Sequence, residues 1–335
     1  MEKHVVFIVE KPANLRALAP HLSAKWPGKA YAITTLYIGL YEFRYPRGLN
    51  MADFPFVGEP AWKKRPLESS PVFEVEAGEV RQCDLEPTDI LRGASSIVFA
   101  ADPSPAGAVA FHVLLSECLG ADMACASWPA LRLYANDDHG INKALEAANT
   151  TRDEWFESLC NAGIARRFFD FNYNINAMAL FGNALRQVGG VSQDYLVSKY
   201  SLQLLFALRD HPLVGEDEDV LIRMMQEWQG TGRYTHRGLG SPVSRPAILE
   251  GLRSAGLMQG VRLSAAGHAF LGLLHPDCRD PDLPARMAHW MHGWPSSRPA
   301  VERYLRTFFG KQKRFASRSA LNAPAPTADK PDLER

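Results

Sequence analysis

Two stretches decide the fold: His4-Val5-Val6-Phe7-Ile8-Val9-Glu10 and, much later, Ser96-Ile97-Val98-Phe99-Ala100-Ala101-Asp102. Each is a continuous apolar, β-rich run too short for a helix, which is how a strand buried on both faces of a parallel sheet reads. Each ends on an acid and runs into a helical pattern. Leu15 to Leu22 follows the first; Ala108 to about Leu119 follows the second, entered through Asp102-Pro103-Ser104-Pro105-Ala106-Gly107. A strand followed by a helix, twice, predicts a parallel sheet with Glu10 and Asp102 on its carboxyl edge, where α/β folds place their sites.

Working outward, residues 41 to 74 are rich in proline and aromatics and read as an ordered insertion. From Ile141 onward the chain reads almost entirely as helix. Ile141 to Ala148, Trp155 to Ala179, Tyr195 to Leu208 and Val220 to Trp228 all carry apolar residues at three- and four-residue spacing. Past the glycine-rich stretch 230 to 240, a helix from Pro246 to Ala255, a stop at Gly256, a short segment to Leu263 and a helix from Ala265 to Leu274 suggest a winged-helix-like segment. The tail, with Ala-Pro-Ala-Pro, reads as disordered. These signals divide the chain at 1–128, 129–231, 232–310 and 311–335.

With 46% apolar and 22% charged residues in 335, the chain has the composition of an ordinary globular protein. No apolar run approaches the ~20 residues that span a bilayer, and no secretory segment is evident, so a cytoplasmic protein without a membrane partner is expected. Five scattered cysteines, none in C-x-x-C spacing, suggest neither zinc nor disulfides and read as buried packing residues. Lys+Arg and Asp+Glu both total 37, a neutrality that argues against nucleic acid until it is divided by segment. Residues 1–159 hold 15 basic and 21 acidic groups, a balance of −6; the remainder balances at +6. Within 220–318 the count is 15 against 6, mostly arginine, the side chain best suited to phosphate. The acidic run Glu216-Asp217-Glu218-Asp219 reads as a helix start, where negative charge is favourable.

Several segments, in order, resemble the type IA DNA topoisomerases, nearest their topoisomerase III branch. Val9-Glu10-Lys11-Pro12 and Asp102-Pro103-x-x-x-Gly107 resemble the acidic strand ends of a Toprim domain. Ile38-Gly39-Leu40-Tyr41-Glu42 and Trp62-Lys63-Lys64-Arg65-Pro66-Leu67-Glu68 resemble stretches of the family's insertion. Leu131-Arg132-Leu133 with Ile141 to Leu145, and Ala165-Arg166-Arg167 with Asp170, Ile175 and Asn176, resemble its next segments. Gly238-Leu239-Gly240-Ser241-Pro242-Val243-Ser244-Arg245 resembles G-I-G-T-P-A-T-R, the entry to a DNA-contacting helix, and Leu263-Ser264-x-x-Gly267 a later motif. The resemblance implies an α/β Toprim domain followed by a mainly α domain with a winged-helix-like segment. It also implies single-stranded DNA as partner, contacted by Arg132, Arg166, Arg167, Arg233, His236, Arg237, Ser244, Arg245 and Arg253, with bases stacked on aromatics such as Phe168, Phe169 or Trp228; Arg132, Arg166 and Arg167 read equally as salt-bridge partners of the acidic first half.

The departures limit the chemistry. Where the family carries three acids, this chain keeps Asp102 and has Ser104 and Ala106, so Glu10, Lys11 and Asp102 read as vestigial catalytic positions. Two carboxylates make a poor Mg²⁺ site, so no cofactor is expected, Mg²⁺ entering only weakly at Glu10 and Asp102 if activity is retained. The long strand-passage gate with its nucleophilic tyrosine is reduced to the interval Leu180 to Thr231. Tyr45 in Tyr45-Pro46-Arg47 lacks the nucleophile's context, and Tyr234 matches a non-catalytic family position. The expected function is therefore that of a catalytically degenerate, topoisomerase-like DNA-binding protein, an accessory subunit in replication, conjugation or defence with a possible protein partner. Two alternatives are a nicking or topoisomerase activity completed by a partner that supplies the tyrosine gate, and a Toprim-based interaction scaffold.

Overall fold

A computed structural model of the chain describes residues 3–26, 28–35, 39–213, 217–231 and 238–322. They fall into two compact units, each assembled from non-contiguous segments. The first comprises Met1–Arg47, Glu59–Phe171 and His289–Arg298; the second comprises Gly48–Gly58, Asn172–Ala288 and Pro299–Arg335.

The first unit is built on β1 (His4–Val9), α1 (Pro12–Lys25), β2 (Ala30–Thr34), β3 (Tyr41–Phe43), β4 (Trp62–Lys64), β5 (Val72–Glu76), β6 (Glu79–Gln82), α2 (Pro87–Gly93), β7 (Ala94–Phe99), α3 (Pro105–Leu119), α4 (Ala121–Ala124), α5 (Asp138–Glu146) and the beginning of α6 (Glu154–Gln187). The main sheet has the order β6-β5-β2-β1-β7. β1 lies parallel to both β2 and β7, as the two opening runs predict. Two antiparallel strands, β5 and β6, extend it, so the sheet is mixed rather than parallel throughout. The Val72-Phe73-Glu74-Val75-Glu76 alternation and the Ala77-Gly78 turn behind it explain that hairpin: Val72, Phe73 and Val75 are buried, and Ala77 and Gly78 both take positive φ. The expected insertion is ordered, with β3 and β4 forming a hairpin of their own.

Apolar side chains cover both faces of the central strands. Val6, Ile8, Ile97 and Phe99 pack with Phe111, Leu114 and Leu115 of α3 on one face. Phe7, Val9 and Val98 pack with Leu15, Leu18 and Leu22 of α1 on the other. α3 begins as its sequence dictates: Ser104 caps the Gly107 N–H at 3.1 Å, and Pro105 occupies the first turn, where a missing N–H costs nothing. Gly107 is required there, since a Cβ would lie 2.6 Å from the Asp102 carbonyl oxygen.

The second unit contains the end of α6 with α7 (Lys199–Asp210), α8 (Glu218–Gln226), α9 (Ser244–Ser254), the hairpin β8 (Met258–Gln259) and β9 (Arg262–Leu263), α10 (Ala265–Gly272), most of α11 (Leu283–His292) and α12 (Arg298–Asn322). Within the acidic run, the Asp217 carboxylate caps the Asp219 N–H at 2.9 Å where α8 begins, as expected of a helix start, while Glu216 lies outside the described residues. α9, the hairpin and α10 supply two helices joined by strands of two residues each, and the winged-helix expectation extends no further than that hairpin. The expected tail is displaced: residues 311–322 continue α12, because Val301, Leu305, Phe308, Phe309 and Gln312 give it a buried face. The rest of the tail lies outside the described residues.

Asn172 and Asn176, one helical turn apart and fully buried, clamp segment 56–58. The Phe56 and Gly58 N–H groups donate to their Oδ1 atoms, both at 2.8 Å, and their Nδ2 atoms donate back to the Phe56 and Gly58 carbonyls at 2.6 and 2.9 Å. Asn176, reached by resemblance in the sequence, is thus a structural amide.

Candidate functional site

At the carboxyl edge of the first unit's sheet, β1 delivers Glu10 and β7 delivers Asp102. Their side chains hydrogen-bond each other. Asn14, from the first turn of α1, donates its Nδ2 to Asp102 Oδ1 at 3.2 Å. Glu10 is 8% exposed. Burial, the hydrogen bond to Asp102 and the Asp102 charge together raise its pKa from the ordinary 4.5 to about 7, with Lys11 opposing them. Glu10 therefore takes up a proton more readily than an ordinary carboxylate. Two carboxylates this close cannot both remain charged at low cost.

The edge supplies two carboxylates in contact, and the Asn14 amide turns a donor toward Asp102. Ser104 is engaged as the α3 cap. Among the described residues, no three His, Cys, Asp or Glu side chains are grouped to hold a metal.

Beside β7 the chain returns at Ala130, bridged in parallel to Phe99, with the Leu131 N–H donating to the Phe99 carbonyl at 2.7 Å. The segment then runs on in the direction of the edge that carries Asp102. It presents Arg132 and Tyr134 on one side and buries Leu131 and Leu133 on the other, the period-2 pattern of extended chain. The Arg132 guanidinium lies 5.3 Å from the centre of the Tyr134 ring and 5.3 Å from that of Trp155, and its Nε donates to the Tyr134 hydroxyl at 2.6 Å. Cation–π contacts at this range and the bond to the Tyr134 hydroxyl fix the guanidinium beside both rings. Tyr134 remains 72% exposed, so its ring is open to a further stacking partner. Arg132 was legible in the sequence and Tyr134 was not, although the alternation Arg132-Leu133-Tyr134 marks both as facing the same way.

The other arginine positions behave differently. Arg166 pairs with Asp170 at 3.7 Å along α6. Arg167 is largely buried, which lowers its pKa despite the neighbouring Asp170, and lines a small cavity with Leu40, Tyr41, Trp62 and Val109. In the second unit Arg245 is turned inward. It is 8% exposed, with Nε donating to the Leu239 carbonyl at 3.3 Å, so the residue that the sequence assigns to DNA contact holds its own turn in place. Ser244 closes the same turn through Ser241, whose N–H donates to the Ser244 Oγ at 2.7 Å. Arg253 is paired with Glu218 at 2.7 Å and donates to the Gly260 carbonyl at 3.0 Å. Arg233, His236, Arg237 and Tyr234 lie outside the described residues.

The expected base-stacking aromatics are core. Phe168 and Phe169 are buried against Trp294 and Trp290, and Trp228 is buried with its indole N–H donating to the Pro281 carbonyl. Tyr45 stacks on Phe171 at 5.5 Å, a packing role. Of the cysteines, Cys118, Cys160 and Cys278 are buried as expected, whereas Cys83 is half-buried and Cys125 exposed. No helix among the described residues is long and apolar enough to cross a membrane.

No known protein-family profile matches the chain, and no curated protein matches it. Among solved structures it is similar to full-length topoisomerase I from Thermotoga maritima, with a TM-score of 0.39 and 11% identity over 61% of this chain and 29% of that one. The chain thus spans less than a third of that protein's length.

Proposed function

We propose that this chain binds single-stranded DNA at the carboxyl edge of its sheet without cleaving it, as a degenerate relative of the type IA topoisomerases. In that reading it serves as an accessory subunit in replication, conjugation or defence. The observation that carries the reading is the open Arg132–Tyr134 stack lying on the same edge as the Glu10–Asp102 pair. An exposed ring with a guanidinium fixed behind it offers a face to an unpaired base and a positive charge to the adjoining phosphate. A base inside a duplex has both faces covered by its stacked neighbours, so the platform favours single strands. The raised pKa of Glu10 lowers the charge that the acid pair turns toward a passing phosphate. The same raised pKa argues against cleavage, which needs charged carboxylates grouped around a metal.

Fluorescence anisotropy with single- and double-stranded oligonucleotides across a salt series tests this. The expected result is salt-dependent binding that prefers single strands, with Tyr134→Ala about tenfold weaker and Tyr134→Phe close to wild type, since one base–aromatic stack contributes roughly 1–3 kcal/mol. An absence of binding at low salt would sink the reading. Mg²⁺-dependent nicking or relaxation of supercoiled plasmid that vanishes in Glu10→Ala would overturn its non-cleaving part.

A further inference from the structure

The basic excess of residues 220–318 has a definite location once paired charges are set aside. Arg253 is neutralised by Glu218, Arg279 by Asp210, Arg286 by Asp280, Arg298 by Glu59 and Lys311 by Asp277. Arg303, Arg306 and Arg314 are exposed on α12 and have no ion-pair or hydrogen-bond partner among the described residues. At 100° per residue, Arg303 and Arg314 lie about 20° apart around the helix, Arg306 falls within about 80° of both, and the three span about 16 Å of its axis. Their face is opposite the buried Val301, Leu305 and Phe308. An open groove runs along them, lined also by Pro299, Thr307 and Glu302, the last of which has an interaction partner of its own.

Gly310 sits in the middle of this stripe. A glycine inside a helix costs about 1 kcal/mol relative to alanine. Neither its conformation nor its packing requires it: it has an ordinary helical φ, and a Cβ would meet only the flexible Arg314 Nη1 at 3.6 Å. It leaves the helix backbone bare between the arginines, which is the shape a closely approaching chain would need.

We infer that the outer face of α12, through Arg303, Arg306 and Arg314, is a second nucleic-acid contact that grips the sugar–phosphate backbone. It deepens the DNA-binding reading and rests on it. Three guanidiniums spaced along one line match an anion that repeats along a line, and each can take a phosphate through two N–H donors. A membrane surface fits less well, because the apolar face an interfacial helix would insert is already buried in the core.

The test compares the full chain with the triple variant Arg303→Gln, Arg306→Gln, Arg314→Gln, and separately with Gly310→Gln. It measures oligonucleotide affinity from 50 to 300 mM salt, with thermal melting alongside. The triple variant is expected to melt as wild type does while the slope of log affinity against log salt falls by about 2, three contacts at ~0.7 each on a single strand. Gly310→Gln is expected to melt no lower and to bind several-fold more weakly. If wild type binds and both variants keep its affinity and slope, the α12 contact is wrong while the DNA reading stands. If wild type shows no salt-dependent binding, both fall. Loss of binding to phosphatidylserine vesicles in the triple variant, with oligonucleotide affinity unchanged, would assign the stripe to membranes and overturn the inference.

Discussion

The turn Gly238–Arg245 and the outer face of α12 are both arginine-bearing parts of the second unit, and they use the residue in opposite ways. In the turn, Gly238 and Gly240 take positive φ, Leu239 is fully buried with its N–H donating to the Met225 carbonyl at 2.7 Å, and Arg245 folds back to bond the Leu239 carbonyl. The guanidinium there is part of the core. On α12, Arg303, Arg306 and Arg314 face solvent and have no ion-pair or hydrogen-bond partner among the described residues. The recognisable motif belongs to the inward case, and the outward one carries no motif. A sequence pattern marks residues that a fold needs in place. Availability to a ligand depends instead on exposure and on the absence of a competing carboxylate.

The comparison breaks most directly at Arg245. Arg245→Ala removes a buried guanidinium, leaves the Leu239 carbonyl without that donor and opens a void under the turn. The expected cost is about 2–3 kcal/mol of stability. Affinity for oligonucleotides, measured below the melting transition, is expected to change less than twofold. An Arg245→Ala protein that melts as wild type but loses salt-dependent affinity would place this arginine at the nucleic acid and reverse the contrast.

The parts legible in the sequence were those fixed by local chemistry. The runs at His4 and Ser96 could be read as strands because their apolar residues permit little else, and the acids that end them came with them. The β5–β6 hairpin is hidden because Val72-Phe73-Glu74 continues the proline-rich insertion 41 to 74 without a break in composition. α12 was missed because its charges and the proline-rich end masked the Val301, Leu305 and Phe308 spacing. At the site, Arg132 was legible and Tyr134 was not: an open ring is defined by what fails to cover it, and that is set by distant packing. The same reason hid the burial of Phe168 and Phe169, packed against Trp294 and Trp290 far along the chain, whereas Arg245 is hidden by folding back onto its own turn.

Glu10 sharpens the contrast from the first unit, as an inward charge that works against the fold. Its pKa is raised to about 7 in the folded protein against about 4.5 unfolded, so between those values the folded state holds more protons. The stability this proton provides is complete below about pH 4.5 and is lost as pH rises through 7. The whole shift would correspond to roughly 3 kcal/mol, and solvent around the pair screens it to about 1 kcal/mol. Glu10→Gln keeps a donor for Asp102 and cannot ionise. It is expected to melt about 2–4 °C above wild type at pH 8 and level with it at pH 4.5, by calorimetry at both pH values. Equal melting at both would mean that Glu10 is not the group being titrated.

Arg303 alone gives the smallest effect and the finest resolution. Arg303→Gln removes an exposed side chain that touches no partner, so stability is expected to stay within about 0.5 kcal/mol of wild type. Because each phosphate contact releases a fixed fraction of a counterion, the single change is expected to lower the salt slope by about 0.7 on a single strand. Arg253→Gln, which removes an arginine already paired to Glu218 and bonded to the Gly260 carbonyl, supplies the matched control: a small loss of stability and an unchanged slope. If the two substitutions lower the slope equally, then pairing within the fold does not decide which arginines reach the phosphate, and the distinction between the turn and the helix face loses its physical basis.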